Sequence, residues 1–387
     1  MNKRHFLARS AAALLLAAAW PVHAQAPDAT AVVRNYSKVV QASYEDSLAG
    51  ALDMQRAVQA FVTAPGVDTL GAARKSWIAA REWYGQTEVY RFYSGPIDDK
   101  NGPEGNLNSW PLDEAYIDYV KGKPKAGLIA NRKAAITKTA LARVNTRGGE
   151  ENVSVGWHAI EFLLWGQDLR ADGPGDRSFE DYVDGKAANA DRRRQYLLAV
   201  NELLIDDLRY LLKAWAPEAR NYRASFERGG VESLRKMIVG MGSLSRGELA
   251  GQRMETAMNT QDQEDEHSCF SDNTHRDVVN NALGIENVWF GRFKRRDGNQ
   301  VQGPSLNDLV AAKDAAVAAR TGKQISASVA AALDIHAPFD QEILGGKDAP
   351  GRQRMQKTID SLVQQSKDLA DAASAIGITR LALVKPK

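Results

Sequence analysis

The sequence predicts an all-α protein built from two helical-bundle domains. Long segments are rich in Ala, Leu, Arg, Glu and Gln, with apolar residues spaced three and four apart, and runs of alternating β-branched residues are almost absent. Short polar connections between such segments favour antiparallel neighbours in a bundle. The segments with helical periodicity are 30–62, 70–92, 125–145, 190–215, 306–320, 325–334 and 351–375.

The first segment is a predicted signal peptide, residues 1–24. Lys3, Arg4 and Arg9 precede an apolar run over 10–20, and small residues follow at the positions that a signal peptidase reads. This run is roughly half of the ~20 residues that a membrane-spanning helix needs. We therefore expect a protein exported to the periplasm, with no transmembrane segment after cleavage.

The remaining chain divides near the Trp-Ala-Pro sequence at 215–217 and the glycine pair at 229–230. These breaks predict an N-terminal bundle over 25–225 and a C-terminal bundle over 226–387. Each half would hold about four helices and one polar signature segment. This parallel suggests a pseudo-repeat with a functional cleft between the domains.

Charge and cysteine content narrow the classes of partner. Without residues 1–24 the chain has 47 basic and 48 acidic residues, so it is nearly neutral and nucleic acid is not an expected partner. Cys269 is the only cysteine, which excludes an intrachain disulfide. A buried apolar role is the commoner one for such a cysteine.

The first segment that suggests chemistry is Gly156-Trp-His-Ala-Ile-Glu161. His158 and Glu161 are three residues apart, so both lie on one face of a helix and can approach the same cation. The helix is apolar nearly all round and is therefore predicted to be buried. A buried Glu161 needs a cation, a proton or a hydrogen-bond donor. The alternative to a metal site is a simple hydrogen bond between His158 and Glu161, or from His158 to a backbone carbonyl.

Glu88 is the third candidate metal ligand. It shares a predicted helix face with Trp77 and Tyr84, an unusual place for an acid. The alternative is an ordinary ion pair with Arg81 or Arg91. In the loop that follows, Asp98 is held by a Gly-Pro turn, and Asp113 is suited to capping the next helix.

The segment 261–277 concentrates acids and two histidines. Oxygen and imidazole ligands together suit iron, zinc or manganese, although a charged helix face is often only solvated. The further candidate cleft residues, some of them from this segment, are Gly156, Asp98, Arg91, Asp113, Glu266, His267, Ser268, Ser271, Asp272 and His275.

These motifs resemble the imelysin family, also described as insulin-cleaving membrane protease-like or iron-regulated protein A-like. The resemblance rests on GWHAIEFLLWGQD from Gly156, REWYGQTE from Arg81, NSWPLDE from Asn108, and EHSCFSDNTH from Glu266. It implies an all-helical fold with the His/Glu motif near an interdomain cleft. It also implies a periplasmic location, possibly peripheral to the outer membrane, and a link to iron.

The predicted function is therefore the binding of a metal, a divalent ion or iron, or of a small polar ligand, in association with iron handling and envelope iron-uptake proteins. One alternative is a metallopeptidase, although the sequence has neither an HExxH helix nor another complete catalytic motif. Another is an envelope protein that binds a sugar or a peptidoglycan fragment through its tryptophans.

Overall fold

The computed structural model describes residues 28–384, and the fold is all-α, as the sequence predicts. The predicted signal peptide lies outside the described residues. The helices are α1 (Ala29–Thr63), α2 (Val67–Tyr84), α3 (Glu104–Leu107), α4 (Glu114–Ile117), α5 (Gly127–Ala130), α6 (Lys138–Val144), α7 (Trp157–Trp165), α8 (Ala190–Ala214), α9 (Tyr222–Glu227), α10 (Val231–Ser243), α11 (Thr256–Thr260), α12 (Thr274–Phe290), α13 (Leu306–Ala311), α14 (Ala315–Leu333), α15 (Asp340–Ile343) and α16 (Pro350–Ala375).

Helix α1 shows how a capping residue and an apolar face position a long helix in the bundle. The Asp28 side chain caps α1 by accepting a hydrogen bond from the Ala31 amide at 2.7 Å. Apolar residues along one face of α1, such as Val33, Tyr44 and Met54, are fully buried, and the helix packs mainly against α2 and α8. This amphipathic pattern is what stabilises a long helix in a bundle.

The second half contains a continuous helical run from α10 to α11. Between these helices, Leu244–Glu255 adopts a π-helix, a form that is rare and often found at functional sites. It presents Glu248 and Arg253 to the same place, and their side chains are paired at 3.0 Å. No pattern in the sequence predicted this local widening of the helix.

Several predicted boundaries were wrong. The predicted helix over 125–145 is two short helices, α5 and α6, separated by irregular chain. The helix over 70–92 ends at Tyr84 and continues as a 3₁₀ turn over Gly85–Tyr90. The break expected between 320 and 325 lies instead at 312–314, where Asp314 caps α14. One antiparallel hairpin is present, β1 (Arg292–Lys294) with β2 (Gln300–Gln302), in keeping with the expectation of few strands.

The principal hydrophobic core draws residues from both sides of position 225, from Val32 to Ile378. A second core cluster lies within 249–362, around Phe339 and Met355. The division into domains 25–225 and 226–387 stays a prediction. Across residues 28–384, no helix combines the length and apolarity that crossing a membrane requires.

Candidate functional site

The candidate site is built on α7, whose nine residues are all buried. Gly156 precedes the helix with φ +94°, in the left-handed region that favours glycine. A Cβ atom there would lie 2.6 Å from the Leu107 carbonyl oxygen. Gly156 therefore lets the chain enter the helix against the end of α3, and this entry fixes where His158 and Glu161 lie.

Glu161 holds His158 in place. Its Oε2 lies 2.9 Å from Nδ1 of His158, and its Oε1 accepts hydrogen bonds from Ser271, from the amide at 3.0 Å and from the hydroxyl at 2.6 Å. Both carboxylate oxygens are thus engaged. The hydrogen bond between His158 and Glu161, which was the alternative to shared metal ligation, is present in the structure.

His267 is held in the same way by Asp277. Its Nδ1 lies 2.6 Å from Oδ2 of Asp277, and the Ser268 hydroxyl donates to the same oxygen at 2.5 Å. Both partners are buried. Each histidine is therefore oriented by one carboxylate and one serine, although the two histidines are 109 residues apart in the chain.

The two imidazoles meet through their remaining nitrogens. Nε2 of His158 lies 3.3 Å from Nε2 of His267, and the rings are arranged edge to face. If both Nδ1 atoms donate to their carboxylates, both Nε2 atoms carry lone pairs, since a neutral imidazole has one N–H. Two facing lone pairs need a shared proton or a cation between them.

Burial sets the charge of this histidine pair, His158 and His267. It lowers the pKa of both imidazoles well below the usual value, and the nearby guanidinium groups, Arg81 beside His158 and Arg253 beside His267, act in the same direction. Burial also raises the pKa of Glu161 to about 8, against the opposing hydrogen bonds from Ser271. Neutral imidazoles are the form that binds metals.

Glu88 lies in a neighbouring charged network. Arg253 binds its Oε2 at 2.5 Å, and the amides of Asn108 and Asn281 donate to its two oxygens, each at 3.1 Å. Burial opposes ionisation, but Arg253 outweighs it and lowers the pKa of Glu88 to about 2. Ion pairing, the alternative considered for Glu88, is therefore present, with Arg253 as the nearer partner and Arg91 at 3.7 Å.

Arg81 connects this network to the histidine pair. Its guanidinium is completely buried, donates to Asp277 at 2.9 Å and donates to Asn108 at 2.8 Å. It also lies 5.4–5.7 Å from the ring centres of Trp77, Tyr84 and Trp157. Arg81 thereby fixes the carboxylate that orients His267.

A cavity of about 310 Å³ leads from the surface to His267. Trp110 forms part of its wall, with its ring 5.8 Å from the imidazole and its Nε1 donating to the Glu266 carbonyl at 2.8 Å. Arg91 also lines the cavity and is paired with Glu104 at 2.9 Å and Glu248 at 3.4 Å. A small polar ligand or a hydrated ion that enters this cavity would therefore lie next to His267.

Several other residues predicted from the sequence have roles outside the histidine pair. Asp98 accepts hydrogen bonds from the Phe92 and Gly95 amides and so orders its own loop. Asp113 caps α4 by accepting from the Ala115 amide at 3.0 Å, the role its sequence context favoured. His275 is half-buried and lines a different cavity, with Nδ1 3.1 Å from the Asp272 carbonyl. Cys269 is buried, as expected.

Sequence reasoning assigned no role to Asp277 or Arg253, and it considered Arg81 only as an ion-pair partner of Glu88. The sequence contains a signal for both Asp277 and Arg81. Asp277 ends the acidic segment, and Arg81 begins the REWYGQTE motif. Arg253 gave no signal, because it reaches Glu88 from a π-helix 165 residues away in the chain.

Comparisons with known proteins show which family this chain resembles. A family model described as imelysin, a peptidase family, matches residues 40–369. Iron-regulated protein A of Synechococcus elongatus is 26% identical over 316 residues, which cover 79% of this chain and 75% of that protein.

Two solved structures share the fold. A protein from Parabacteroides distasonis, described as a putative iron-regulated protein A precursor, superposes with a TM-score of 0.70 at 19% identity, covering 90% of this chain and 95% of that one. An imelysin-like protein from Psychrobacter arcticum gives a TM-score of 0.65 at 14% identity, covering 91% and 96%.

Proposed function

Because this chain belongs to the imelysin family, we propose that it is a periplasmic protein of iron handling that binds a transition-metal ion at the histidine pair. Nε2 of His158 and Nε2 of His267 supply two ligands. Glu161 and Asp277 orient these ligands from outside the coordination sphere. Ligands for the remaining coordination positions of the metal enter from the cavity that ends at His267.

The separation of the two Nε2 atoms carries this proposal. Nitrogen ligands about 2.0–2.1 Å from a tetrahedral ion lie about 3.3–3.4 Å from each other, and the observed separation is 3.3 Å. Metal-bound histidines almost always donate their other N–H to a carboxylate or carbonyl, which fixes the tautomer. Both histidines have such a carboxylate partner.

The ligand chemistry favours a borderline metal. Imidazole suits Fe, Zn, Cu and Ni, whereas Mg and Ca prefer sites made only of oxygen. Iron is singled out by the name of the Synechococcus relative, iron-regulated protein A. The basic, apolar N-terminal sequence supports delivery to the periplasm.

Binding is favoured over peptide hydrolysis by the state of the nearby carboxylates. A metallopeptidase needs a carboxylate free to act as a base beside the metal-bound water. Glu161 and Asp277 are occupied by histidine and serine, and Glu88 is ion-paired with Arg253. Glu104 and Glu248 line the cavity but are paired with Arg91.

Anaerobic calorimetry with Fe²⁺ and with Zn²⁺ tests the proposal. We expect saturable binding of one ion, and a loss of at least ~10-fold in affinity in both His158→Ala and His267→Ala, since each removes a direct ligand. His336→Ala is the matched control, because this imidazole is exposed and lies outside the site. The control should bind like the parent protein. Unchanged affinity in either site variant would rule out the histidine pair as the metal site.

A further inference from the structure

Three buried aspartates from distant parts of the chain converge at a second place. Asp168 follows the end of α7, Asp272 precedes α12, and Asp340 begins α15. One carboxylate oxygen from each lies within 4.8 Å of the other two. Their exposed fractions are only 2%, 6% and 3%. Carboxylates are almost never buried together without a compensating charge or proton.

A fourth acid, Glu266, is directed into the same cluster. Its side chain is fully buried and faces the Asp340 carboxyl group and the Thr274 hydroxyl, and among residues 28–384 no N–H group donates to either of its oxygens. The carboxyl groups that act on it most strongly are those of Asp340 and Asp272. In this part of the chain, no N–H group or hydroxyl of another residue donates to either oxygen of Asp272 or of Asp340. A buried polar group left in this way is costly unless a ligand completes it.

Little positive charge faces these groups. The Arg170 amide donates to Asp168 at 3.0 Å, and its guanidinium, which is half-exposed, is 3.5 Å from Asp172. The acidic cluster, defined as Asp168, Asp272, Asp340 and Glu266, therefore has four carboxyl groups and one partly solvated counter-charge. Burial raises the pKa of all four acids, as expected where negative charge is uncompensated.

We propose that the acidic cluster is a binding site for a hard divalent cation of the Ca²⁺ class, separate from the histidine pair. Ca²⁺ takes six to eight oxygen ligands about 2.3–2.6 Å away, so oxygens on opposite sides of the ion lie about 5 Å apart. The spacing of up to 4.8 Å between the aspartate oxygens fits this size. The absence of imidazole and thiolate from the cluster disfavours Zn²⁺ and Cu²⁺.

The acidic cluster lies beside a surface cavity. Asp272 lines a surface cavity of about 590 Å³, together with Pro174, Asn273 and Pro338. An ion that enters there would be bound by acids from three parts of the chain: the segment after α7, the segment before α12 and the start of α15. Because Asp272 directly follows Ser271, which binds Glu161, the ion would also stabilise the segment that orients His158.

Calorimetry and thermal unfolding of the chelator-treated protein with CaCl₂, MgCl₂ and MnCl₂ test this site. We expect one saturable Ca²⁺ site and a rise in melting temperature with Ca²⁺, since a ligand that binds only the folded state stabilises it. Asp340→Asn and Asp272→Asn should each weaken Ca²⁺ binding by at least ~10-fold, comparable to the loss of a metal ligand. Without metal they should melt at or above the temperature of the parent, because they remove a repelling charge.

Two controls separate this site from the histidine pair. Asp348→Asn changes an exposed aspartate on the same segment and should bind Ca²⁺ like the parent. His158→Ala should lose Fe²⁺ binding but keep Ca²⁺ binding. The proposal is overturned if the parent shows no saturable binding of any of the three ions. It is also overturned if Asp340→Asn binds Ca²⁺ as tightly as Asp348→Asn does.

Discussion

The histidine pair and the acidic cluster use one short segment, 266–272, in opposite ways. His267 and Ser271 face a site in which every carboxylate oxygen is matched with a donor. Glu266 and Asp272 face a site in which most carboxyl oxygens, unlike Oδ1 of Asp168, have no N–H donor within the described chain. The first site is organised before any ligand arrives, whereas the second stores repulsion that a proton or a cation must relieve. The preorganised histidine pair and the acidic cluster, which needs a proton or a cation, therefore lie next to each other.

The largest effect should come from removing the charge that supports the histidine pair. Arg81→Met leaves Asp277 buried without its guanidinium, and breaking a buried ion pair in this way costs about 3–5 kcal/mol. Urea denaturation should show that loss in the free energy of unfolding. Arg56→Met, which breaks an exposed pair with Asp53, is the control and should cost less than ~1 kcal/mol. Similar losses in both variants would mean that the Arg81 network does not hold the site together.

An intermediate effect is expected from Glu161→Gln. The Ser271 donors would keep the new amide oxygen on their side, so that the amide nitrogen faces Nδ1 of His158. Nδ1 must then accept, the proton moves to Nε2, and the lone pair needed for a metal is lost. Loss of such an orienting partner typically weakens metal binding by about 10–100-fold.

The same calorimetric titration measures this change, with Glu180→Gln as an exposed control. If Glu161→Gln bound Fe²⁺ or Zn²⁺ like the control, the carboxylate would not be setting the tautomer of His158.

The acidic cluster should give the smallest effect, seen in the pH dependence of stability. The pKa values of Asp168 and Asp272 in the folded protein are about 6 and about 8, above the ~3.9 of an unfolded chain. The native state therefore binds more protons over this range, and its stability falls as pH rises. In chelator, the acidic cluster should therefore make the melting temperature higher at pH 6 than at pH 8.

Asp340→Asn should flatten that dependence, because it removes a charge that acts on Asp272 and Glu266. Added Ca²⁺ should do the same in the parent protein. A pH dependence of the melting temperature that Asp340→Asn leaves unchanged in chelator would contradict this description of the cluster.

Sequence reasoning reached the parts of the fold and site that depend on local pattern. The helical periodicity located α1, α8 and α16 closely, because their apolar faces are continuous. His158, Glu161, His267 and Ser271 could be selected because they lie in short motifs. The structure adds that they share one polar centre.

The remaining features depend on contacts between distant residues, which a linear pattern does not encode. Asp340 lies in an unremarkable loop sequence, and only the fold brings it to Asp168 and Asp272. Arg253 reaches Glu88 because the chain widens into a π-helix. Glu161 was expected as a ligand from its spacing, whereas in the structure both of its oxygens are occupied by His158 and Ser271.

The central claim is that two imidazole nitrogens, held 3.3 Å apart by carboxylates, bind one metal ion. X-ray absorption spectroscopy of the iron- or zinc-loaded protein tests it most directly. We predict a first coordination shell with two imidazole nitrogens, about 2.0–2.1 Å from a bound zinc ion, and a shell with fewer imidazoles in His267→Ala. A shell made only of oxygen atoms, or one that His267→Ala leaves unchanged, would contradict the account.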